Sequence, residues 1–148
     1  MGWRERVDLP EWGVTRIKAK IDTGARTSAI HVSTLSELED GQVRFEVVLR
    51  EGFSRKTTWV TAKPVRRTMI KSSSGHRQER LVFCTKMKIG EIEREVELTL
   101  VSRKGMLCRM LVGRTALAGV LVDPRRIYLA TRAPGKALKP KKTGKKRK

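Results

Sequence analysis

Cysteine and histidine are scarce in this chain, which limits the metal and disulfide chemistry that it can support. The 148 residues include two of each. Cys84 and Cys108 lie too far apart for a zinc-ligand pair, and two cysteines do not make the disulfide framework of a small secreted domain. We therefore expect two buried thiols in β-strands, a core or hydrogen-bonded His31, and no metal or other cofactor.

Long apolar runs are also missing. No segment approaches the roughly 20 apolar residues of a membrane-spanning helix. The first residues alternate charged side chains with Trp and Pro, and they lack the apolar stretch of a signal peptide. These absences favour a cytoplasmic protein with no membrane span.

Acidic residues are few, because 15 Asp and Glu accompany 34 Lys and Arg, for a formal net charge of +19. Residues 132–148 contain nine Lys or Arg and no acid, so they cannot bury enough apolar surface to form a core. We predict one folded domain over residues 1–131 and a disordered basic tail over residues 132–148. The tail suits contact with RNA, the ribosome, an anionic lipid or an acidic protein segment, or it serves only to keep the chain soluble.

Apolar and polar residues alternate with a period of two in several segments of the chain. Ile17, Ala19 and Ile21 alternate with basic residues, the pattern of a half-buried strand. The same period runs from Arg80 to Val101 around a central Gly90, which predicts a hairpin whose alternating Glu residues lie on a solvated face. A run of small residues at 115–119 predicts one short helix. The expected fold class is all-β, in a single domain.

Asp22-Thr23-Gly24 follows directly after the strand that contains Ile17 and Ile21. A carboxylate at the end of a rigid strand is well placed for catalysis, and the small residues Gly24 and Ala25 let the backbone turn sharply. The tripeptide alone is weak evidence of function, since short motifs recur by chance.

Three spaced motifs together are far more specific. In chain order they are Asp22-Thr23-Gly24-Ala25-Arg26-Thr27-Ser28-Ala29, then Ser72-Ser73-Ser74-Gly75 with Arg80, and finally Met110-Leu111-Val112-Gly113-Arg114. With this ordered set the chain resembles the bacterial retropepsin-like aspartic protease family that is commonly labelled ATP-dependent zinc protease (RimB-type). The resemblance extends from about Val14 to Leu129.

The resemblance implies an acid-protease β-barrel in which Asp22 is catalytic, with Thr23, Gly24 and Ala25 completing its loop. Val112 and Gly113 would pass beside that loop and support it. Retropepsins use one Asp from each of two chains, and this sequence has one Asp-Thr-Gly. A homodimer that hydrolyses peptide bonds through an activated water is therefore expected.

The resemblance also implies a mobile hairpin over the substrate, here around Ser73, Ser74 and Gly75, although an ordinary surface turn would have the same composition. Arg26, Ser28 and Arg114 match the family pattern and would favour a peptide or protein substrate that carries carboxylates. In the alternative, the two arginines make structural ion pairs or dimer contacts. Because some family members are linked to ribosomal-protein glutamate ligases, a glutamylated tail is one implied ligand.

Two parts of the family label have no counterpart in this sequence. It contains neither the His-Glu-x-x-His pattern of a zinc protease nor the Gly-x-x-x-x-Gly-Lys pattern of a phosphate-binding loop. A different class of function also stays open, because fold does not determine activity. In that alternative the domain is a non-catalytic binding module for an acidic peptide, a ribosomal component or RNA.

Overall fold

The computed structural model describes residues 1–71 and 74–131. The predicted basic tail and Ser73 lie outside these residues. Ten strands make up most of the described chain: β1 (Gly2–Leu9), β2 (Val14–Ile21), β3 (Ser28–Glu37), β4 (Val43–Arg50), β5 (Lys56–Ala62), β6 (Arg66–Lys71), β7 (Arg77–Ile89), β8 (Ile92–Val101), β9 (Met110–Val112) and β10 (Asp123–Ile127). The prediction of an all-β domain is confirmed.

Six strands pair in a closed ring, in the order β1, β2, β9, β3, β8 and β7, with β7 returning to β1 where Asp8 pairs with Lys88. This ring takes the place of the expected barrel. Strand β6 extends the ring beyond β7, and β10 pairs in parallel with β1. Strands β4 and β5 form a separate hairpin that joins the rest through β3.

Alternating side chains place the core inside the ring. On β2, Ile17, Ala19 and Ile21 are buried while Lys18 and Lys20 face outward, as the sequence predicts. The β7–β8 hairpin around Gly90 is confirmed, and Lys86 forms a cross-strand ion pair with Glu93 at 3.4 Å. Three aromatic rings meet at the centre with centroids 5.1–6.0 Å apart, those of Trp12, Phe45 and Phe83.

One local prediction differs from the structure. The predicted short helix over residues 115–119 is a single 3-10 turn over Arg114–Ala116, which ends because Leu117 leaves helical geometry, with φ −110° and ψ 16°. A second 3-10 turn occupies Pro10–Trp12. Within the described part of the chain, no helix is long and apolar enough to cross a membrane.

The cysteines also differ from expectation. Cys84 lies on β7 but is exposed, whereas Cys108 is buried but precedes β9 in a loop. Both are free thiols. Partial burial of its sulfur and the negative charges of Glu95, Glu97 and Glu11 raise the pKa of the Cys84 thiol above its ordinary value, so Cys84 is a weak nucleophile near neutral pH.

Glu5 joins the two ends of the folded domain. Its side chain is fully buried on β1, and its carboxylate oxygens accept hydrogen bonds from the backbone N–H groups of Gly2, Ala130 and Thr131 at 3.0 Å each. The Thr131 hydroxyl donates a further bond to the same carboxylate. A buried carboxylate is stable only when it is bonded in this way, and Glu5 thereby holds the last described residues against the first strand.

We predict that Glu5→Ala lowers the free energy of unfolding by about 2–4 kcal/mol, because the buried Gly2 N–H and the partly buried N–H groups of Ala130 and Thr131 lose their acceptor. Urea denaturation followed by tryptophan fluorescence measures the change. The matched control is Glu39→Ala, an exposed position, where we expect a change within about 0.5 kcal/mol. Equal effects at the two positions would contradict the anchoring role of Glu5.

Candidate active site

The Asp22 loop connects β2 to β3, and the short strand β9 lies between these two strands. Strand β9 runs parallel to β2, pairing Ile21 with Val112, and antiparallel to β3, pairing Ala29 with Leu111. The Asp22 backbone N–H donates to the Val112 carbonyl oxygen at 2.9 Å. The first residue of the loop is therefore held by the same hydrogen-bond ladder that holds the strand before it.

Within the loop, the backbone orients the Asp22 carboxylate. The Gly24 N–H donates to Asp22 Oδ1 at 3.0 Å, and the Ala25 N–H donates to the Asp22 carbonyl oxygen at 3.3 Å. A Cβ at Gly24 would lie 3.2 Å from Oδ1, so a side chain there would crowd the carboxylate. Asp22 is half-buried, whereas Thr23 and Gly24 are exposed. The loop thus presents one fixed carboxylate and an exposed tip.

Gly113 and Ser28 pack behind the loop. A Cβ at Gly113 would lie 2.7–2.9 Å from backbone atoms of Thr27 and Arg26, which is too close for any larger residue without a backbone shift. The Gly113 N–H donates to the Ser28 hydroxyl oxygen at 3.0 Å, and Ser28 is fully buried. This location favours a supporting role for Ser28 over the substrate contact that the resemblance implied.

Arg114 and Thr115, which follow Gly113, form hydrogen bonds to the loop. The Arg114 N–H donates to the Ala25 carbonyl oxygen at 2.7 Å, and Arg114 Nη1 donates to the Gly24 carbonyl oxygen at 3.1 Å. The N–H and hydroxyl of Thr115 both donate to the Arg26 carbonyl oxygen, at 3.2 and 3.0 Å. Arg114 therefore braces the loop through its backbone and its side chain, and Thr115 is a contributor that the sequence did not single out.

A cleft of about 480 Å³ opens beside the loop, between Ala25, Arg26 and Thr27 on one side and strand β6 on the other. Three arginines line it: Arg26, Arg80 and Arg103. Within the described residues, no acidic side chain forms an ion pair with any of the three. Since no acid lines this cleft either, its electrostatic character favours a ligand that carries negative charge.

Arg103 has no recognisable sequence signal, and the fold alone brings it to this cleft. Its N–H donates to His31 Nδ1 at 2.8 Å, and its Nε donates to the Cys108 carbonyl oxygen at 2.9 Å. His31 is buried with its Nε2 3.5 Å from a Glu51 carboxylate oxygen. The prediction of a hydrogen-bonded His31 is therefore confirmed, and this histidine holds the Arg103 backbone in place.

The β6–β7 hairpin forms the wall of the cleft opposite the loop. Its strands pair from Arg66 with Val82 to Lys71 with Arg77, and Ile70 and Arg80 contribute to the cleft lining. Gly75 lies at the turn with a left-handed φ of 83°, and Ser74 precedes it. Of the segment predicted to cover the substrate, Ser74 and Gly75 lie at the turn of this hairpin, and both are exposed.

Comparison with the sequence models of known families assigns the chain to one of them. The sequence model of the family described as "RimB-like: Retropepsin-like aspartic endopeptidase RimB" matches residues 1–133. The chain belongs to this retropepsin-like family. The match includes every residue of the Asp22 loop and of β9, so the family assignment and the site concern the same part of the chain.

Curated relatives of this retropepsin-like domain carry a different name. The chain is 38% identical over 130 residues to a probable alpha-L-glutamate ligase of Desulfotalea psychrophila, covering 84% of this chain and 28% of that protein. A probable alpha-L-glutamate ligase of Shewanella pealeana is 38% identical over 132 residues, with 86% and 29% covered. The chain thus spans under a third of the length of these relatives.

A solved structure shares the fold. The protein Lpg0085 of Legionella pneumophila, whose function is given as unknown, superposes with a TM-score of 0.71 and 26% sequence identity. The alignment covers 87% of this chain and 95% of that one. The overall fold is therefore shared with a solved structure.

We predict that Ser28→Ala lowers the free energy of unfolding by about 1–3 kcal/mol, because the buried Gly113 N–H loses its acceptor. Ser36→Ala is the matched control, since Ser36 lies on the same strand but is exposed, and we expect it to change stability by less than about 0.5 kcal/mol. Chemical denaturation of both variants gives the comparison. If Ser28→Ala is as stable as the control, Ser28 does not support the loop.

Proposed function

We propose that the chain is an aspartic endopeptidase that uses Asp22 as its catalytic carboxylate. The observation that carries the proposal is the half-buried Asp22 side chain, which the Gly24 N–H orients at 3.0 Å in a loop whose following residues, Ala25 to Thr27, line the cleft. Membership of the retropepsin-like family supports the same assignment.

A working site needs two copies of the chain. Aspartic protease chemistry uses two adjacent carboxylates that share one proton, because two negative charges so close together cannot both persist. The sequence has one Asp-Thr-Gly, and Thr23 and Gly24 are exposed at the loop tip. We therefore propose a homodimer with twofold symmetry in which the two loop tips meet and each contributes one Asp22.

In this dimer the ionised Asp22 takes a proton from a bound water, whose oxygen attacks the carbonyl carbon of the scissile peptide bond. The protonated Asp22 of the other copy donates its proton to the developing oxyanion. As the tetrahedral intermediate collapses and the C–N bond breaks, the Asp22 that took the water proton passes it to the leaving nitrogen, and a hydroxyl of the intermediate returns a proton to the other Asp22. The Gly24 N–H holds the carboxylate in position throughout, so no reorientation is needed between steps.

The substrate we propose is an acidic peptide segment. Arg26, Arg80 and Arg103 line the cleft beside the catalytic loop, and a guanidinium group binds carboxylates with a two-pronged geometry. The relatives named as probable alpha-L-glutamate ligases contain a segment similar to this chain, which is consistent with a glutamate-rich peptide as the substrate. The β6–β7 hairpin tip would close over the bound peptide.

A second function is favoured by the same arginines. A cleft lined by unpaired cations suffices to bind an acidic peptide without cleaving it, and the domain would then be a non-catalytic binding module. Asp22 separates the two functions, because cleavage requires its ionisable group and binding does not.

We predict that Asp22→Asn abolishes cleavage of glutamate-rich peptides, with a loss of at least about 1,000-fold in rate, since the amide cannot act as the base. Mass spectrometry of peptides incubated with each protein at several pH values identifies the cuts. Asp40→Asn is the matched control, because Asp40 lies in an exposed turn, and it should cleave like the wild type. Equal cleavage by wild type and Asp22→Asn would refute the mechanism.

The same samples distinguish the alternative. If the wild type leaves every peptide intact while wild type and Asp22→Asn bind the glutamate-rich peptide with equal affinity, the binding module is the correct function. Isothermal titration calorimetry measures that affinity.

A further inference from the structure

The outer face of β1 and β2 carries a ladder of positive charges. Strand pairing places Arg4 directly opposite Lys20 and Arg6 directly opposite Lys18. These side chains alternate with buried residues on both strands, so they all project outward. Within residues 1–71 and 74–131, none of the four forms an ion pair. We call this set the cationic ladder.

Folding alone does not favour such an arrangement. Like charges directly opposite each other on neighbouring strands are destabilising, and here two such pairs follow one another. On the β7–β8 hairpin, by contrast, Lys86 and Lys88 lie opposite Glu95 and Glu93. Like charges also face each other at Arg50–Lys56 and at Lys71–Arg77, but there as single pairs at the ends of their strands. A negatively charged ligand would relieve the repulsion within the ladder.

The backbone at this face is strained. Among the described residues, two that are not glycine have a left-handed φ, Arg16 at 54° and Tyr128 at 52°. Arg16 adjoins an irregularity in the β1–β2 pairing, and Tyr128 follows β10 and contacts the ladder. Non-glycine residues adopt this conformation at a cost, and such strain is concentrated at functional sites.

Aromatic rings hold the arginines of the ladder in place. The guanidinium of Arg4 lies 5.3 Å from the ring centroids of both Trp3 and Tyr128, and the guanidinium of Arg6 lies 5.3 Å from that of Tyr128. These cation–π contacts restrict the side chains before any ligand binds. An arginine that is already ordered loses less entropy when it binds an anion.

A small pocket of about 190 Å³ continues the ladder at one end. Arg6, Arg16 and Lys88 line it together with Thr131 and a single acid, Asp8. The Asp8 carboxylate accepts a hydrogen bond from the Arg16 backbone N–H at 2.7 Å, so it is engaged in holding the strained residue. The cations of the pocket outnumber its one acid.

We propose that the cationic ladder and its end pocket bind the phosphate backbone of single-stranded nucleic acid. Residues two apart on a strand lie about 7 Å apart, and neighbouring strands lie about 5 Å apart, so the ladder is a narrow strip that suits one flexible chain of phosphates. Thr131 lies at the end pocket, and the basic residues 132–148 follow it directly in the sequence.

The test uses the full-length chain and a fluorescein-labelled 20-nucleotide oligouridine. We expect Lys18→Gln/Lys20→Gln to bind the oligonucleotide more weakly. Its salt dependence, the slope of log K against log[salt], should be smaller in magnitude by about 1.4, because each of the two lost phosphate contacts to a single strand contributes about 0.7. The matched control is Lys56→Gln/Lys63→Gln, which removes two exposed lysines elsewhere and should leave the slope unchanged. Fluorescence anisotropy over a range of salt concentrations measures both.

Thermal unfolding of the two double variants confirms that each is folded, and removal of like-charge repulsion should leave Lys18→Gln/Lys20→Gln at least as stable as the wild type. Equal changes of slope in the two variants would overturn the proposal, because they would show attraction by net charge alone. It is equally overturned if the ladder variant loses affinity for polyglutamate peptide or for anionic phosphatidylserine vesicles but not for the oligonucleotide.

Discussion

The site depends on one structural constraint, the insertion of β9 between β2 and β3. Val112 accepts the hydrogen bond from the Asp22 N–H at 2.9 Å, and Gly113 packs against the backbone of Thr27 so closely that a methyl group would collide. A three-residue strand and the glycine after it thereby hold both ends of the Asp22 loop. Because the loop is fixed by backbone bonds to a strand distant in sequence, its carboxylate position depends on the whole ring of strands.

The sequence predicts those features that arise from local patterns. Alternation identified the face of β2 that carries Ile17 and Ile21, and the β7–β8 hairpin around Gly90, because side chains alternate across a strand whatever it pairs with. The Asp22 loop is recognisable from its ordered motifs rather than from an alternating pattern. The all-β class follows from both, and the 3-10 turn at Arg114–Ala116 shows how a short run of small residues gives too weak a signal to separate a turn from a helix.

The remaining features come from long-range packing, which local patterns do not encode. Ser28 matches the family motif, yet its hydroxyl points inward because β3 pairs with β9 there. In the sequence, Glu5 is one of several charged residues near the N-terminus, and its role follows only from the hydrogen bonds that Ala130 and Thr131 donate to it in the folded chain. Arg103 enters the cleft through a hydrogen bond from its backbone to the buried His31. Among the described residues, one group of basic side chains lines the cleft and another lies on the outer face of β1 and β2, and net charge alone does not distinguish them.

In the dimer that we propose, two copies of the chain share one active site. Subunit mixing tests this arrangement most directly. Wild-type protein at constant concentration is refolded together with increasing amounts of Asp22→Asn protein, and peptide cleavage is measured. If each dimer needs both Asp22 residues, a ninefold excess of the variant reduces the rate per wild-type chain to about a tenth, whereas added Asp40→Asn chain raises the total rate. A cleavage rate that does not change as Asp22→Asn chain is added would contradict the shared site.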